Sequence, residues 1–419
     1  MKLSSFLARS FATAAVLVSI SSCSENLDSS GVCSVLCPPI GGEVQNVTID
    51  AVVVDTTVES LSGLGTEAGL FLASRGDTLD TRVVIRYDSL PTSFTPTGDT
   101  SQSITHVDSA YIMLKVDTLS IKGGDPVTIE AYDVDTTAND TSSAAILALF
   151  RPDRFISSQT FTRAQLTDTL RYYISNDTVL AKIQSAAPLR IGLRATGPTS
   201  TQIRFYSTEA GFPPILLFRG VPDTTTAALS VGPSSKTPVG QSILAQSLTD
   251  YTVIAKAPPP SAGSVLAVGG LPPRRVYFRF DIPSYLIDSS TVVRATLLLN
   301  QIPNSSLDPT DTVLILPQAV LAGQAVTDPE KAAQIIANIS VDTLKLRPGD
   351  SGPTNVELAA AFSLWRTQQP DTLPRAIVLK SVTEGSSPIE IRFSSSEDIA
   401  ALRPRLRISY TSKVPLGLP

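Results

Sequence analysis

The sequence predicts an all-β protein of two tandem sandwiches with short helices in the connections, and three observations carry that prediction. The chain repeats itself: Arg82-Val83-Val84-Ile85-Arg86-Tyr87-Asp88 returns 193 residues later as Arg275-Val276-Tyr277-Phe278-Arg279-Phe280-Asp281. Likewise Ile203-Arg204-Phe205-Tyr206-Ser207-Thr208-Glu209 returns 188 residues later as Ile391-Arg392-Phe393-Ser394-Ser395-Ser396-Glu397, so two copies of one module lie in tandem. The repeats alternate with period two: Val83, Ile85 and Tyr87 share one strand face, as do Val276, Phe278 and Phe280, the signature of a half-buried strand. A second strand follows in each copy, with Ala110, Ile112, Leu114 and Val116 matched by Ala295, Leu297 and Leu299. Finally, Asp-Thr-Leu or Asp-Thr-Val recurs at Asp77, Asp117, Asp168, Asp177, Asp311, Asp342 and Asp371. Asp favours a turn and β-branched Thr favours the pleat, so the tripeptide reads as a turn-to-strand junction.

From the N-terminus, residues 1–22 read as an export signal: Lys2 and Arg9 precede an apolar run from Phe11 to Ile20, and small residues lead to Cys23. Ten apolar residues are too few for a membrane-spanning helix, which needs about 20. The segment resembles the lipobox of bacterial lipoproteins, which implies that Cys23 carries the lipid; a plain signal peptide cut elsewhere is the alternative. Several acyl chains, each contributing about 0.8 kcal/mol per buried CH₂, suffice for stable attachment. Ser24 is not the aspartate that retains many lipoproteins at an inner membrane, so an outer-membrane location in the cell envelope is expected.

Residues 23–46 are rich in Ser, Gly, Pro and Asp and read as a tether. Within it Cys33 and Cys37 could form a local disulfide in an oxidising compartment, free thiols being the alternative. The first module is expected over 47–220, a polar joint over 221–240, the second module over 241–412 and a frayed tail over 413–419. In the second copy, Asp328-Pro329-Glu330 reads as a helix cap, a first-turn proline and a dipole-compatible acid. Leu358, Ala361, Phe362 and Trp365 follow helical spacing, which is expected to place the single tryptophan in the core, a sugar-stacking role being the alternative.

At this point the chain resembles a known family. Arg279-Phe280-Asp281, then Val292 to Leu299, the helix ending in Trp365, Phe393 to Glu397 and Arg403-Pro404-Arg405-Leu406 with Tyr410 are similar to the DNRLRE domain. The first copy is a more diverged version: Arg86-Tyr87-Asp88, Ser109 to Leu114, Phe205 to Glu209 and Pro213 to Leu216, without the tryptophan. The resemblance implies jelly-roll β-sandwiches of the kind treated as non-catalytic carbohydrate-binding modules.

The chemistry of the residues narrows the function. The chain has 33 basic and 38 acidic residues, a net charge of −5 that becomes −7 without Lys2 and Arg9. It has no basic runs, which excludes a nucleic-acid partner. A single histidine, His106, at the start of an expected strand, rules out a multi-histidine zinc site and leaves any histidine triad resting on one edge residue. No catalytic constellation, metal site or cofactor motif stands out, and the protein is expected not to be an enzyme. Asp133, Asp135, Asn139 and Asp140 could hold a structural calcium but form no complete loop signature. Period two places Arg86, Arg279, Arg204 and Arg392 on the outward faces, where guanidinium groups clasp carboxylates. The sharp expectation is an acidic polysaccharide bound there; the bland one is ion pairing with acids such as Asp88, Asp281, Glu209 and Glu397. The leading expectation is thus a membrane-anchored polysaccharide-binding lipoprotein. A structural or adhesion lipoprotein with a protein partner is the second, and a polysaccharide-acting enzyme the third.

Overall fold

The computed structural model describes residues 43–60, 65–96, 100–135, 143–197, 199–220, 227–236, 248–261, 263–305, 308–338, 343–367 and 373–413. The chain opens with β1 (Gln45–Ile49) and β2 (Val52–Glu59). It continues through β3 (Gly69–Arg75), β4 (Leu79–Tyr87), the small pair β5 (Ser93–Phe94) and β6 (Gln102–Ser103), β7 (Asp108–Gly123), β8 (Val127–Asp133) and helix α1 (Ser143–Leu147). Next come β9 (Phe155–Phe161), β10 (Thr169–Tyr173), α2 (Asn176–Gln184), β11 (Leu189–Thr196), β12 (Thr201–Tyr206), β13 (Ile215–Arg219) and β14 (Leu229–Val231). The second half holds β15 (Asp250–Lys256), β16 (Val265–Gly269), β17 (Arg274–Phe280), α3 (Ser284–Ile287), β18 (Ser290–Ile302), β19 (Val313–Val320), α4 (Pro329–Ala332) and β20 (Ile336–Asn338). It ends with β21 (Leu344–Leu346), β22 (Gly352–Glu357), α5 (Ala359–Thr367), β23 (Ala376–Ser381), β24 (Glu390–Ser394) and β25 (Arg405–Ser412).

These strands form two large antiparallel sheets, each curled into a jelly-roll-like sandwich, so the all-β class holds. Alternation drives the curling, because each strand presents one apolar face that only an opposing layer can cover. In the first sandwich Val83, Ile85 and Tyr87 of β4 meet Ala110, Ile112, Leu114 and Val116 of β7 in one buried core with Phe205. In the second, Val276, Phe278 and Phe280 meet Ala295, Leu297 and Leu299 with Phe393. The helices follow their sequence signals. Asp328 Oδ1 accepts the Glu330 and Lys331 N–H groups at 2.9 and 3.4 Å to cap α4. Helix α5 buries Ala361, Phe362 and Trp365.

The sheets depart from the sequence-drawn boundaries at two strands of the first module and one of the second. β1 pairs β25 and β2 pairs β17, so the N-terminal strands belong to the second sandwich, not to a module spanning 47–220. Conversely β15, placed by sequence in the second module, pairs β4 of the first. The joint is also partly ordered structure, since β14 pairs β13 and Ser234 bridges Tyr87. Proximity along the chain suggested that each strand joins its nearest module; the physical reason it does not is a second, equivalent slot across the junction. Between the sandwiches, Arg75 pairs with Asp308 at 2.8 Å, Lys122 reaches Asp308 at 3.4 Å and also binds Asp311. Leu271 joins an apolar seam with Phe71, Ala73 and Leu79. Glu67 packs so closely on Gly385, which has φ +77°, that a Cβ there would lie 2.7 Å from the Glu67 Cγ.

Candidate functional site

The four arginines expected on wet faces occupy different environments. Arg86 is 1 % exposed and donates from Nη2 to Asp88 at 2.7 Å. Asp88 also accepts Arg190 Nε and Nη2 at 2.9 and 3.1 Å and the Lys236 backbone N–H at 2.9 Å. Burial by itself would raise the Asp88 carboxyl; the hydrogen bonds from Arg190, Arg86 and Lys236 outweigh it and hold the group below the usual carboxylate range. The outward reading of Arg86 is therefore corrected. Its face is outward from the core, as period two requires, but chain from elsewhere covers it. Residues 234–236 lie against β4, with the Ser234 N–H donated to the Arg86 carbonyl at 2.8 Å. A second apolar layer of Val84, Tyr132, Val134, Ile146, Leu248, Tyr251 and Val253 covers the neighbouring strands.

The other three arginines are half-buried. Arg204 Nε donates to Asp117 at 2.9 Å and lines a cavity of about 160 Å³ between the sandwiches with Lys122, Gln202, Asp311 and Ser386. Arg392 Nε donates to Glu390 at 2.8 Å, and that carboxylate also takes Arg274 Nη1 at 2.6 Å and the Ser261 hydroxyl at 2.7 Å. Arg279 faces Ala376 where Arg86 faces Arg190, and Asp281 is exposed where Asp88 is buried. Arg86, Arg204 and Arg392 are thus committed to internal carboxylates, and the four do not form one surface.

A different surface is open. On β7, inward Ala110, Ile112 and Leu114 alternate with outward Tyr111, Met113 and Lys115. On β10, inward Leu170 and Tyr172 alternate with outward Thr169, Arg171 and Tyr173, and on β13 Ile215 and Leu217 point the same way. Register aligns them in rows across three strands: Tyr173, Tyr111, Leu217, and next to it Arg171, Met113, Ile215. Tyr173 is 50 % exposed and Met113 36 %. The Tyr111 and Tyr173 rings lie 5.5 Å apart at 52°, with the Arg171 guanidinium 5.4 Å from the Tyr111 centroid. Lys115, which binds Asp168, sits 5.5 Å from the ring of Phe212, itself 5.4 Å from Tyr206. The result is an aromatic and aliphatic platform rimmed by two cations, a carboxylate and Thr169. Aromatic rings supply broad apolar contact at small entropic cost, and polar groups at the rim supply direction.

Sequence reasoning missed this face, although its signal was present: period two applied to Arg171-Tyr172-Tyr173 puts one tyrosine in and one out. The second copy has the same strands but another surface. Glu357, Thr296 and Arg407 stand where Tyr173, Tyr111 and Leu217 stand, and Asn355, Leu298 and Arg405 replace Arg171, Met113 and Ile215. The copies share their inward residues and differ here.

His106 is exposed in the loop before β7. Asp133 and Asp135 hold the Lys182 ammonium at 3.0 and 3.2 Å, so a cation of the chain already sits between them. Asn139, Asp140 and the cysteines Cys23, Cys33 and Cys37 lie outside the described residues. Among the described residues no group of three or more His, Cys, Asp or Glu is arranged to hold a metal. None of their helices is long and apolar enough to cross a membrane.

Among the described residues, the Glu67 carboxyl is strongly displaced. Burial pushes it from 4.5 up to about 7, the backbone N–H groups of Glu67, Gly65 and Thr66 oppose the rise, and Glu209 adds to it. The folded chain therefore holds this proton where the unfolded chain has lost it, and stability falls as pH rises from about 4.5 through about 7. Glu67→Gln is expected to stabilise the protein by about 1 to 3 kcal/mol above pH 7 and to leave it unchanged below about pH 4. Urea midpoints at both pH values check this; equal gains at both would point to packing instead of charge.

No family model matches the chain, and no curated protein matches it. Among solved structures, the T=1 particle derived from infectious bursal virus aligns with a TM-score of 0.13 and 10 % identity over 91 % of this chain and 79 % of that chain. The Macrobrachium rosenbergii nodavirus structure aligns with a TM-score of 0.12 and 5 % identity over 90 % and 92 %. Likenesses this slight carry no argument.

Proposed function

We propose that this is a lipid-anchored, non-catalytic protein of the bacterial cell envelope that binds polysaccharide, and that the exposed platform of the first sandwich makes the contact. The carrying observation is the row Tyr173, Tyr111, Leu217 beside Arg171, Met113, Ile215 on one sheet face. An extended glycan lays the C–H faces of successive sugars on the rings, while Arg171 addresses hydroxyl or carboxylate groups, so an acidic polymer suits this rim better than a neutral one. The resemblance to carbohydrate-binding modules and the lipobox-like Cys23 support the same reading, with the outer membrane as the location. The exposed Met113 and the half-buried Ile215 and Leu217 favour a second reading, a structural or adhesion lipoprotein whose partner is a protein.

A glycan array with the purified protein separates the two. Tyr111→Ala and Tyr173→Ala are each expected to weaken retention about tenfold, close to 1.4 kcal/mol, and Arg171→Ala to weaken acidic glycans selectively. Retention indifferent to both tyrosines would remove the platform from the argument, and cross-linking to a protein without any glycan retention would favour the second reading. Cys23→Ser is expected to release the protein from the membrane fraction.

A further inference from the structure

The two strands that cross the junction are copies of each other. Asp55-Thr56-Thr57-Val58 of β2 and Asp250-Tyr251-Thr252-Val253 of β15 share the pattern Asp, x, Thr, Val. Their docking agrees residue by residue: Asp55 faces Phe278 and Thr57 faces Val276, just as Asp250 faces Ile85 and Thr252 faces Val83. The Thr57 hydroxyl accepts the Ala267 N–H at 2.9 Å, and the Thr252 hydroxyl accepts that of Phe71 at 2.9 Å. Asp55 accepts the Ser396 N–H at 2.6 Å and Asp250 that of Thr208 at 2.9 Å, and these donors are matching positions of the repeated segment. Each sandwich thus has the same acceptor slot, between β3 and β4 or between β16 and β17. Each slot is filled by the strand that precedes the other sandwich in sequence.

We infer that these are interchangeable donor and acceptor sites, and that the second sandwich also accepts β2 in its slot and β1 beside β25 from a second copy of this chain. Three features carry the step. Reciprocal exchange is already realised within one chain, so a donated strand remakes every contact it leaves, the condition under which swapping between protomers costs little. The donor lies ahead of β3, so it can be given to another chain without threading. Complementarity sits in both backbone register and the Asp and Thr side chains, which specifies this strand over an arbitrary one. Closure within the chain competes at the effective concentration of a short connection, on the order of millimolar. Exchange between copies therefore grows as folding takes place near that concentration.

The test uses the full chain with Cys23→Ser, Cys33→Ser and Cys37→Ser, which leaves no native cysteine. Thr48 of β1 and Arg407 of β25 are exposed register partners, so Thr48→Cys in one preparation and Arg407→Cys in another are held side by side when the strand of one chain lies in the sheet of the other, and the 48-to-407 pair then exceeds the 48-to-48 and 407-to-407 pairs that chance collision of exposed thiols gives. Both are unfolded, mixed, refolded at about millimolar concentration and oxidised. The expected product is a covalent pair of twice the chain mass, with the 48-to-407 linkage identified by mass spectrometry and a yield that falls on dilution. The double variant refolded dilute is expected to close within one chain. Closure of the double variant without that excess of the mixed pair would overturn the inference, and so would failure of the double variant to close, since β1 would then not lie beside β25. Neither readout depends on glycan binding.

Discussion

Asp88→Ala is expected to cost about 3 to 5 kcal/mol, because it leaves the guanidinium of Arg86 buried without its carboxylate. Four hydrogen bonds from two arginines and one backbone N–H converge on the Asp88 carboxylate, and neither its side chain nor that of Arg86 is more than 1 % exposed. Removing the acid does not merely delete an ion pair; it strands a charge whose desolvation had been compensated, and the Lys236 N–H loses its acceptor. The second copy supplies an internal control. Asp281, the matching residue, is exposed, and Ala376 stands opposite Arg279 where Arg190 stands opposite Arg86, so Asp281→Ala is expected to change stability by less than about 0.5 kcal/mol. Denaturant midpoints of the two variants check both values. Similar losses for the two would mean that the cover over Arg86 is absent in solution.

The contrast between these aspartates also marks how far the sequence could be read. Inward faces were legible because burial of one strand face is a local requirement: Val83, Ile85 and Tyr87, and Val276, Phe278 and Phe280, all lie in the cores that period two assigns them. Outward faces were not, because what covers them arrives from distant sequence. Nothing in Arg86 and its neighbours announces that residues 234–236, α1 and β15 fold over that side, whereas in the second copy Asp281 stays open. The Asp-Thr-Leu motif shows the same limit. Asp117 lies inside β7 at an irregular register, accepting the Leu119 N–H at 3.1 Å and binding Arg204, and Asp177 lies in α2. A residue that favours turns marks a local kink in the chain, and tertiary context decides whether the strand ends there. The exchanged strands were illegible for a further reason: with two equivalent slots, the choice between them is made by the connections and not by the strand. The platform of Tyr111 and Tyr173 was the reverse case, readable from alternation alone.

Trp365→Ala is expected to destabilise both sandwiches together, by about 3 to 5 kcal/mol. The indole packs between Phe280, 5.9 Å away, and Phe362, 5.3 Å away, and is 6 % exposed, so truncation leaves a cavity that the rigid sheet above it cannot close. Two independent domains would confine that loss to one of two melting transitions. Here the second sandwich contains β1 and β2, which lead directly into β3 of the first, and the first contains β15, which leads directly into β16 of the second. Opening the second core frees β2 and pulls at both crossings, so the slot between β3 and β4 loses its anchorage as well. A single unfolding transition follows, shifted as a whole, and tyrosine near-ultraviolet dichroism reports it through Tyr87 and Tyr172, both buried in the first core. Trp365→Phe is expected to recover most of the loss: it restores ring volume, and it removes an indole N–H that has no acceptor among the described residues. If the tyrosine signal of Trp365→Ala kept the wild-type midpoint while the strand signal split into two steps, the reciprocal exchange would not couple the sandwiches, and each would be stable without the strand it borrows.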